Sequence, residues 1–222
     1  ARIGILGRMA APLTLYAETG WVSPWVFHVM TALEEKRLPY QLELVPLPIP
    51  AETKARLRDR ALIGKVPVLA HGELWLTESL AISEYLAETF PAPGYPRLFP
   101  ADLGERARAR QVMSYLRTDL MALREARPTS SVFGARAAEP LGDRAAIQAA
   151  ELIGLAEHLL APGRTTLFSD WSIADADLAL ALMRLVANGD PVPDAVRGYA
   201  RAQWQRPSLR AFLDRATAPR AS

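Results

Sequence analysis

The sequence predicts an α/β domain followed by an all-helical domain. Three observations predict it. Short β-like runs alternate with helical patterns up to about residue 90, no strand pattern survives beyond about residue 100, and the segment Pro91-Ala92-Pro93-Gly94-Tyr95-Pro96 separates the two regimes. The expected bounds are 12–90 for the first domain, 91–100 for the linker and 101–222 for the second. A chain of 222 residues is long enough to bury two such cores.

In the first half, Leu13-Thr14-Leu15-Tyr16 has the period-two pattern of a strand. From Pro24, the apolar positions Val26, Val29, Met30 and Leu33 share one helical stripe, which Leu38-Pro39 closes. Leu42 and Leu44 alternate in a second strand, and residues 51–62 predict a short second helix ended by Gly64. Val66-Pro67-Val68-Leu69 is a brief apolar strand, His71-Gly72 a turn, and Leu74-Trp75-Leu76 the partner strand. A helix carried by Ile82, Tyr85 and Leu86 starts at Ser79. The order βαβαββα puts one antiparallel pair at the end of the sheet.

In the second half, Val112, Met113, Leu116, Leu120 and Leu123 predict one long helix. Ile147, Ile153, Leu159 and Leu160 predict a second, and Leu178, Leu182 and Leu185 a third, together a helical bundle.

Composition narrows the function. Half the residues are apolar and 23% are charged, which describes a globular chain and not a disordered one. The net charge is +2, with 23 arginines against three lysines, but 24 acids are interspersed with them. Arg106, Arg108, Arg110 and Arg117 therefore read as a solvated helix face, and no nucleic-acid partner is expected. The absence of cysteine excludes disulfides, thiolate metal sites and cysteine nucleophiles, so any thiol chemistry must use a borrowed thiol. No apolar run approaches the ~20 residues of a membrane span, and Arg8 splits the first apolar stretch, so the expectation is a cytoplasmic protein that meets no membrane. Residue 1 is Ala and not Met, and residues 1–11 carry no expectation about the fold. His28, His71 and His158 are isolated in sequence and read as surface or internally bonded histidines, so no metal is expected.

Three local signals converge on ligand binding. Ser23-Pro24 is a helix start, with a serine oxygen available to an orphan amide and a proline that has none to orphan. It stands at the first strand-to-helix junction, where a ligand meets the positive end of a helix, although Ser23 also has a plain capping role open to it. Pro67 interrupts a strand pattern, which proline tolerates at an edge, a bulge or a cis bend, and a free edge would let the Val66 backbone pair with an extended peptide. Glu78-Ser79 opens a helix whose amides and serine hydroxyl suit a carboxylate, while Glu78 suits an ammonium. Adjacent anion and cation sites describe an α-amino acid group.

These residues carry a resemblance. The element order is like the thioredoxin fold, and Ser23-Pro24-Trp25-Val26 stands where glutaredoxins carry Cys-Pro-Tyr-Cys, with both cysteines absent. VPVLAHGELWLTESLAISEYL (66–86) resembles the glutathione-binding half of a glutathione S-transferase, and WVSPWVFHVMTALEEKRLPYQLELV (21–45) that family's first strand-helix-strand unit. Ser172-Ile173-Ala174-Asp175 matches its capping box, in which the serine side chain bonds the N3 amide and the acid reaches back. RARQVMSYLRTDLMALREARPTSSVF (108–133) is similar to the bacterial, stress-linked transferases with glutathione-dependent peroxidase activity.

The resemblance implies a thioredoxin-like N-terminal domain and a homodimer that uses glutathione as co-substrate. It implies that Ser23 hydrogen-bonds the glutathione sulfur, that the Val66 backbone pairs with the cysteinyl part, that Pro67 is a cis-proline beneath it, and that Glu78 and Ser79 hold the γ-glutamyl end. Lys54 and Lys65 are candidates for the glycyl carboxylate. The second substrate would be a small electrophile or a hydroperoxide. Arg117, Arg124 and Arg127 are open to attracting it and Trp25 and Phe27 to walling its pocket, with a solvated arginine face and core aromatics as the alternatives. A non-catalytic glutathione-binding or protein-interaction module of the same fold is the other functional class. An isomerase would be expected to carry a Ser-Ser-Cys loop, which WVSPW lacks.

Overall fold

The computed structural model describes residues 11–160 and 163–218. They fall into two compact units that divide between Arg97 and Leu98. The first contains strand β1 (Leu13–Glu18), helix α1 (Pro24–Glu35), β2 (Tyr40–Val45), α2 (Ala51–Ala61), β3 (Val68–His71), β4 (Leu74–Leu76) and α3 (Ser79–Thr89). This is the expected thioredoxin-like βαβαββα order. The sheet runs β2-β1-β3-β4, with β1 parallel to β2 and antiparallel to β3, and β4 antiparallel to β3 at the edge.

Alternation along β1 sorts its two faces. Leu13, Leu15 and Ala17 are buried on one side, and Thr14 and Tyr16 half-buried on the other. Tyr16 and Trp75 approach to 5.0 Å between ring centroids and pack on the cluster of Leu57, Ala61 and Val68, which α2 and β3 supply. Helices α1 and α3 pack together, and Val26, Phe27, Val29, Met30, Leu33, Ile82 and Leu86 are fully buried there. Each such side chain contributes roughly 1.5–3 kcal/mol on leaving water.

Helix α2 ends differently from the expectation. It stops at Ala61 with Leu62 at φ 67°, in the left-handed region, and not at Gly64. Gly64 serves a close approach instead, because a Cβ there would lie 2.6 Å from the Lys54 carbonyl oxygen. At the other end of the unit, the buried Lys36 ammonium donates to the Phe90 carbonyl at 2.7 Å and the Pro96 carbonyl at 2.9 Å. The expected linker is therefore partly tied to the first unit.

The second unit is all helical, as expected: α4 (Leu103–Thr118), α5 (Met121–Ala126), α6 (Thr129–Phe133), α7 (Asp143–Leu159), α8 (Ile173–Asn188), α9 (Asp194–Trp204) and α10 (Pro207–Ala216). Helix α8 is its axis, with twelve of sixteen residues buried. The predicted single stripe from Val112 to Leu123 is two helices, because α4 ends with Asp119 as its C-cap and Leu120, at φ −93°, ψ 35°, leaves helical geometry before α5. Helix α7 turns a different face inward from the one its large residues suggested. Ala145, Ala149, Leu152 and Ala156 are buried, whereas Ile147 is 59% exposed.

At the start of α8 the capping box of Ser172 and Asp175 is present. Asp175 Oδ2 accepts from the Ser172 amide at 2.9 Å, while Oδ1 accepts from the Leu167 amide at 2.8 Å and the Tyr199 hydroxyl at 3.0 Å. Burial still pushes this carboxyl group upward in pKa against those bonds.

Candidate active site

Three junctions lead off one end of the sheet. Because β1 and β3 are antiparallel with Tyr16 opposite Val68, the C-terminal end of β1 and the N-terminal end of β3 coincide. Strand β4 pairs Leu76 with Leu69, so its C-terminal end arrives there too. The turn to Ser23 leaves β1, Val66-Pro67 enters β3, and Glu78-Ser79 follows β4. Topology thus brings all five residues predicted for the site to one end of the sheet.

Ser23 is the N-cap of α1, extended at φ −74°, ψ 119°, with Pro24 as the first helical residue. Its Oγ accepts from the Val26 amide at 3.3 Å. That long bond uses a lone pair and leaves the O–H available as a donor. Capping and donation to a ligand are compatible at this residue. The macrodipole of the twelve-residue α1 adds positive potential at the same place.

The Val66–Pro67 peptide is cis. Of the three settings open to Pro67 the cis bend is the one found, and the residue precedes the strand rather than interrupting it: β3 begins at Val68 and lies between β1 and β4, so it is not an edge. A residue without an amide proton cannot serve an inner ladder, and Pro67 accordingly stands one position ahead of it. Val66 is half-buried, and its side chain packs on Leu57, Ala61 and Val68.

Glu78 adopts φ 65°, ψ 111°, a region that costs a non-glycine residue about 1–3 kcal/mol. It is the N-cap of α3 and makes no side-chain capping bond, so Ser79 is the first helical residue and not the cap. Glu78 is exposed and Ser79 buried. Just before them, Thr77 Oγ1 donates to the Ala61 carbonyl at 3.1 Å, anchoring the junction to the end of α2. Lys54 and Lys65 are both exposed, on α2 and on the loop before β3.

Sequence reasoning missed Glu18, the last residue of β1. It is fully buried, and Oε1 accepts from the Val22 amide at 2.6 Å and the Ser23 amide at 2.8 Å. Burial pushes its pKa upward, partly offset by the Ser23 amide, its own amide and the Val22 amide. The available signal was an acid closing an apolar strand five residues ahead of Ser-Pro.

The arginine expectations are revised, and the alternatives left open for the aromatics and histidines are decided. Arg117 pairs with Asp177 at 2.5 Å, and the buried Arg127 forms a two-bond pair with Asp190, Nε to Oδ2 and Nη2 to Oδ1, both at 2.7 Å. These two guanidiniums brace helices α4, α5 and α8. Phe27 is fully buried core and not a pocket wall, whereas Trp25 is half-buried. His28 and His71 are buried, with His71 Nδ1 at 2.8 Å from the Tyr85 hydroxyl, and His158 is exposed. Among the described residues no group of three or more His, Cys, Asp or Glu side chains is arranged to hold a metal ion, and no helix is long and apolar enough to cross a membrane.

The family profile of the glutathione S-transferase N-terminal domain matches residues 22–89, and that of the C-terminal domain matches residues 102–218. The chain belongs to the glutathione S-transferase family. A glutathione transferase homolog from Burkholderia gl BGR1, solved with bound glutathione, is 38% identical with a TM-score of 0.76, covering 92% of this chain and 98% of that one. Glutathione S-transferase T1 of Arabidopsis thaliana is 31% identical over 156 residues, which are 64% of this chain and 60% of that protein. A probable maleylacetoacetate isomerase of Vibrio cholerae is 38% identical over 104 residues, 46% of this transferase-family chain and 45% of its own. The chain spans between 23% and 60% of the length of the first curated relatives it matches.

Proposed function

We propose that the chain is a serine-type glutathione transferase in which Ser23 holds the glutathione sulfur as thiolate. The observation that carries this reading is the Ser23 hydroxyl at the N-terminus of α1, with its oxygen engaged by the Val26 amide and its proton free for a ligand. A free thiol with a pKa of ~8.5 is only a few per cent ionised at pH 7. A hydroxyl donor and a helix N-terminus both favour the anion, and a fall of about two units corresponds to about 2.7 kcal/mol.

The remaining roles follow the chemistry of each junction. The Val66 backbone, outside the ladder, pairs with the cysteinyl part of glutathione, and Pro67 shapes the floor beneath it. Glu78 holds the γ-glutamyl ammonium, and Ser79 with the first amides of α3 holds its carboxylate. The strained backbone of Glu78 supports this assignment, since such conformations concentrate at ligand clamps. Residues 12–90 form the glutathione-binding domain and 101–222 the helical domain, in a cytoplasmic homodimer.

The bound thiolate attacks an electrophilic carbon and displaces its leaving group. With an organic hydroperoxide it attacks the terminal oxygen instead. The S–O bond forms as O–O breaks, the alkoxide takes a proton to leave as alcohol, and a second glutathione releases water and the disulfide. Calorimetry with reduced glutathione, then turnover with a chloronitrobenzene, an organic hydroperoxide and a mixed disulfide, tests the reading. Uptake with turnover is expected; uptake without turnover on any of the three indicates a binding module, and no uptake by folded protein ends the proposal.

A further inference from the structure

We propose that Glu18 is the positioning residue of the Ser23 turn. Its buried carboxyl group, through Oε1 alone, fixes the Val22 and Ser23 amides and so sets where the Ser23 hydroxyl stands at the mouth of α1. This rests on the reading of Ser23 given above and adds the group that holds it.

Several independent features of the turn point to this. The ladder between β1 and β2 ends as the Thr19 amide donates to the Val45 carbonyl at 3.0 Å, leaving the next residues without sheet pairing. Within them, Trp21 sits at φ 49°, a left-handed conformation that a non-glycine residue holds only when its surroundings impose it. The two amides immediately after Trp21 are those that converge on Glu18 Oε1, at 2.6 and 2.8 Å. One oxygen therefore closes the turn around a strained residue and delivers Ser23 in the extended conformation that an N-cap requires.

The other oxygen shows what this arrangement costs. Glu18 Oε2 is buried with no hydrogen-bond partner, although Glu18 itself is fully buried at the end of a sheet strand. A buried acceptor left without a partner opposes folding. A leucine at this place would avoid that cost and extend the apolar strand, but it would leave the Val22 and Ser23 amides without their acceptor. Burial pushes the Glu18 pKa upward, and the bonds from the two turn amides oppose that shift.

The proposal separates Glu18→Gln from Glu18→Leu. Glutamine keeps a carbonyl oxygen for both amides; leucine keeps only the volume. Amide hydrogen exchange at Val22 and Ser23 reads the turn without any ligand, and the ultraviolet titration of bound glutathione reads the sulfur. In Glu18→Leu, exchange at those two amides rises about tenfold or more, the bound-thiol pKa moves up by about one unit, and kcat falls at little-changed KM for glutathione. Glu18→Gln returns all three to within about twofold of the parent. Near-ultraviolet circular dichroism establishes that each variant is folded, and should Glu18→Leu fail to fold, the comparison of Glu18→Gln with the parent carries the test. A folded Glu18→Leu with parental exchange and titration overturns the proposal. So does a folded Glu18→Gln in which the two amides lose protection or the thiol pKa moves. If the parent takes up no glutathione, the Ser23 reading fails, and the exchange experiment still decides the role of Glu18.

Discussion

Lys36 reaches Phe90 across 54 residues of sequence: its ammonium donates to the Phe90 carbonyl at 2.7 Å while its stem is 1% exposed. A second bond to the Pro96 carbonyl at 2.9 Å makes this one side chain the clasp on the segment that follows α3. Lys36→Met keeps the stem and strands two carbonyls, so unfolding stability in urea should fall by about 2 kcal/mol at pH 7. Burial and the neighbouring Arg97 lower the Lys36 pKa to about 8 from 10.5. Between those values the unfolded chain binds a proton that the native chain has released, so the Lys36 contribution to stability rises with pH. The difference between parent and variant should therefore widen from pH 8 to pH 10. A constant difference, or one that narrows, contradicts this account of the clasp.

Arg127 and Asp190 set a different expectation for the helical unit. Gly189 at φ 82° ends α8 and turns Asp190 toward the guanidinium, which also donates to the Ala126 and Glu139 carbonyls. The side chains of the pair are 5% and 12% exposed, and the carboxylate holds the guanidinium pKa up. Asp190→Ala leaves a buried cation without its partner and should cost about 3 kcal/mol of unfolding free energy, measured by urea denaturation. A loss below about 1 kcal/mol would place the pair among the weak surface bridges.

Glu78 gives a prediction that concerns affinity. Glu78→Gln keeps size and backbone but removes the charged partner of an ammonium, so glutathione should bind about tenfold more weakly with the fold unchanged. Isothermal calorimetry checks it. An unchanged dissociation constant removes Glu78 from the γ-glutamyl site.

Much of the first unit was legible because its signals are local. Alternation in Leu13–Tyr16, Pro24 at a helix start and the Gly72 turn each act over a few residues, and the observed elements follow them. Ser23, Pro67 and Glu78 stood out for the same reason, as residues at odds with or decisive for their own element. What stayed hidden depended on tertiary contact. The inward face of α7 is Leu152 together with Ala145, Ala149 and Ala156, three small residues that permit close helix approach, whereas reading the largest side chains pointed to Ile147, which is exposed. The break between α4 and α5 carries no glycine or proline to announce it. Glu18 drew no reading from the sequence, and only the fold shows the two amides that it holds. Arg117 and Arg127 read as a free basic surface because their partners, Asp177 and Asp190, lie 60 and 63 residues away.

The ultraviolet thiolate titration of bound glutathione in Ser23→Ala tests the central claim most directly. With glutathione binding retained, removal of the hydroxyl donor should raise the apparent pKa of the bound thiol by about one to two units and abolish most turnover. A variant that binds glutathione and ionises it at the same pH as the parent, with the same rate, would take Ser23 out of the chemistry.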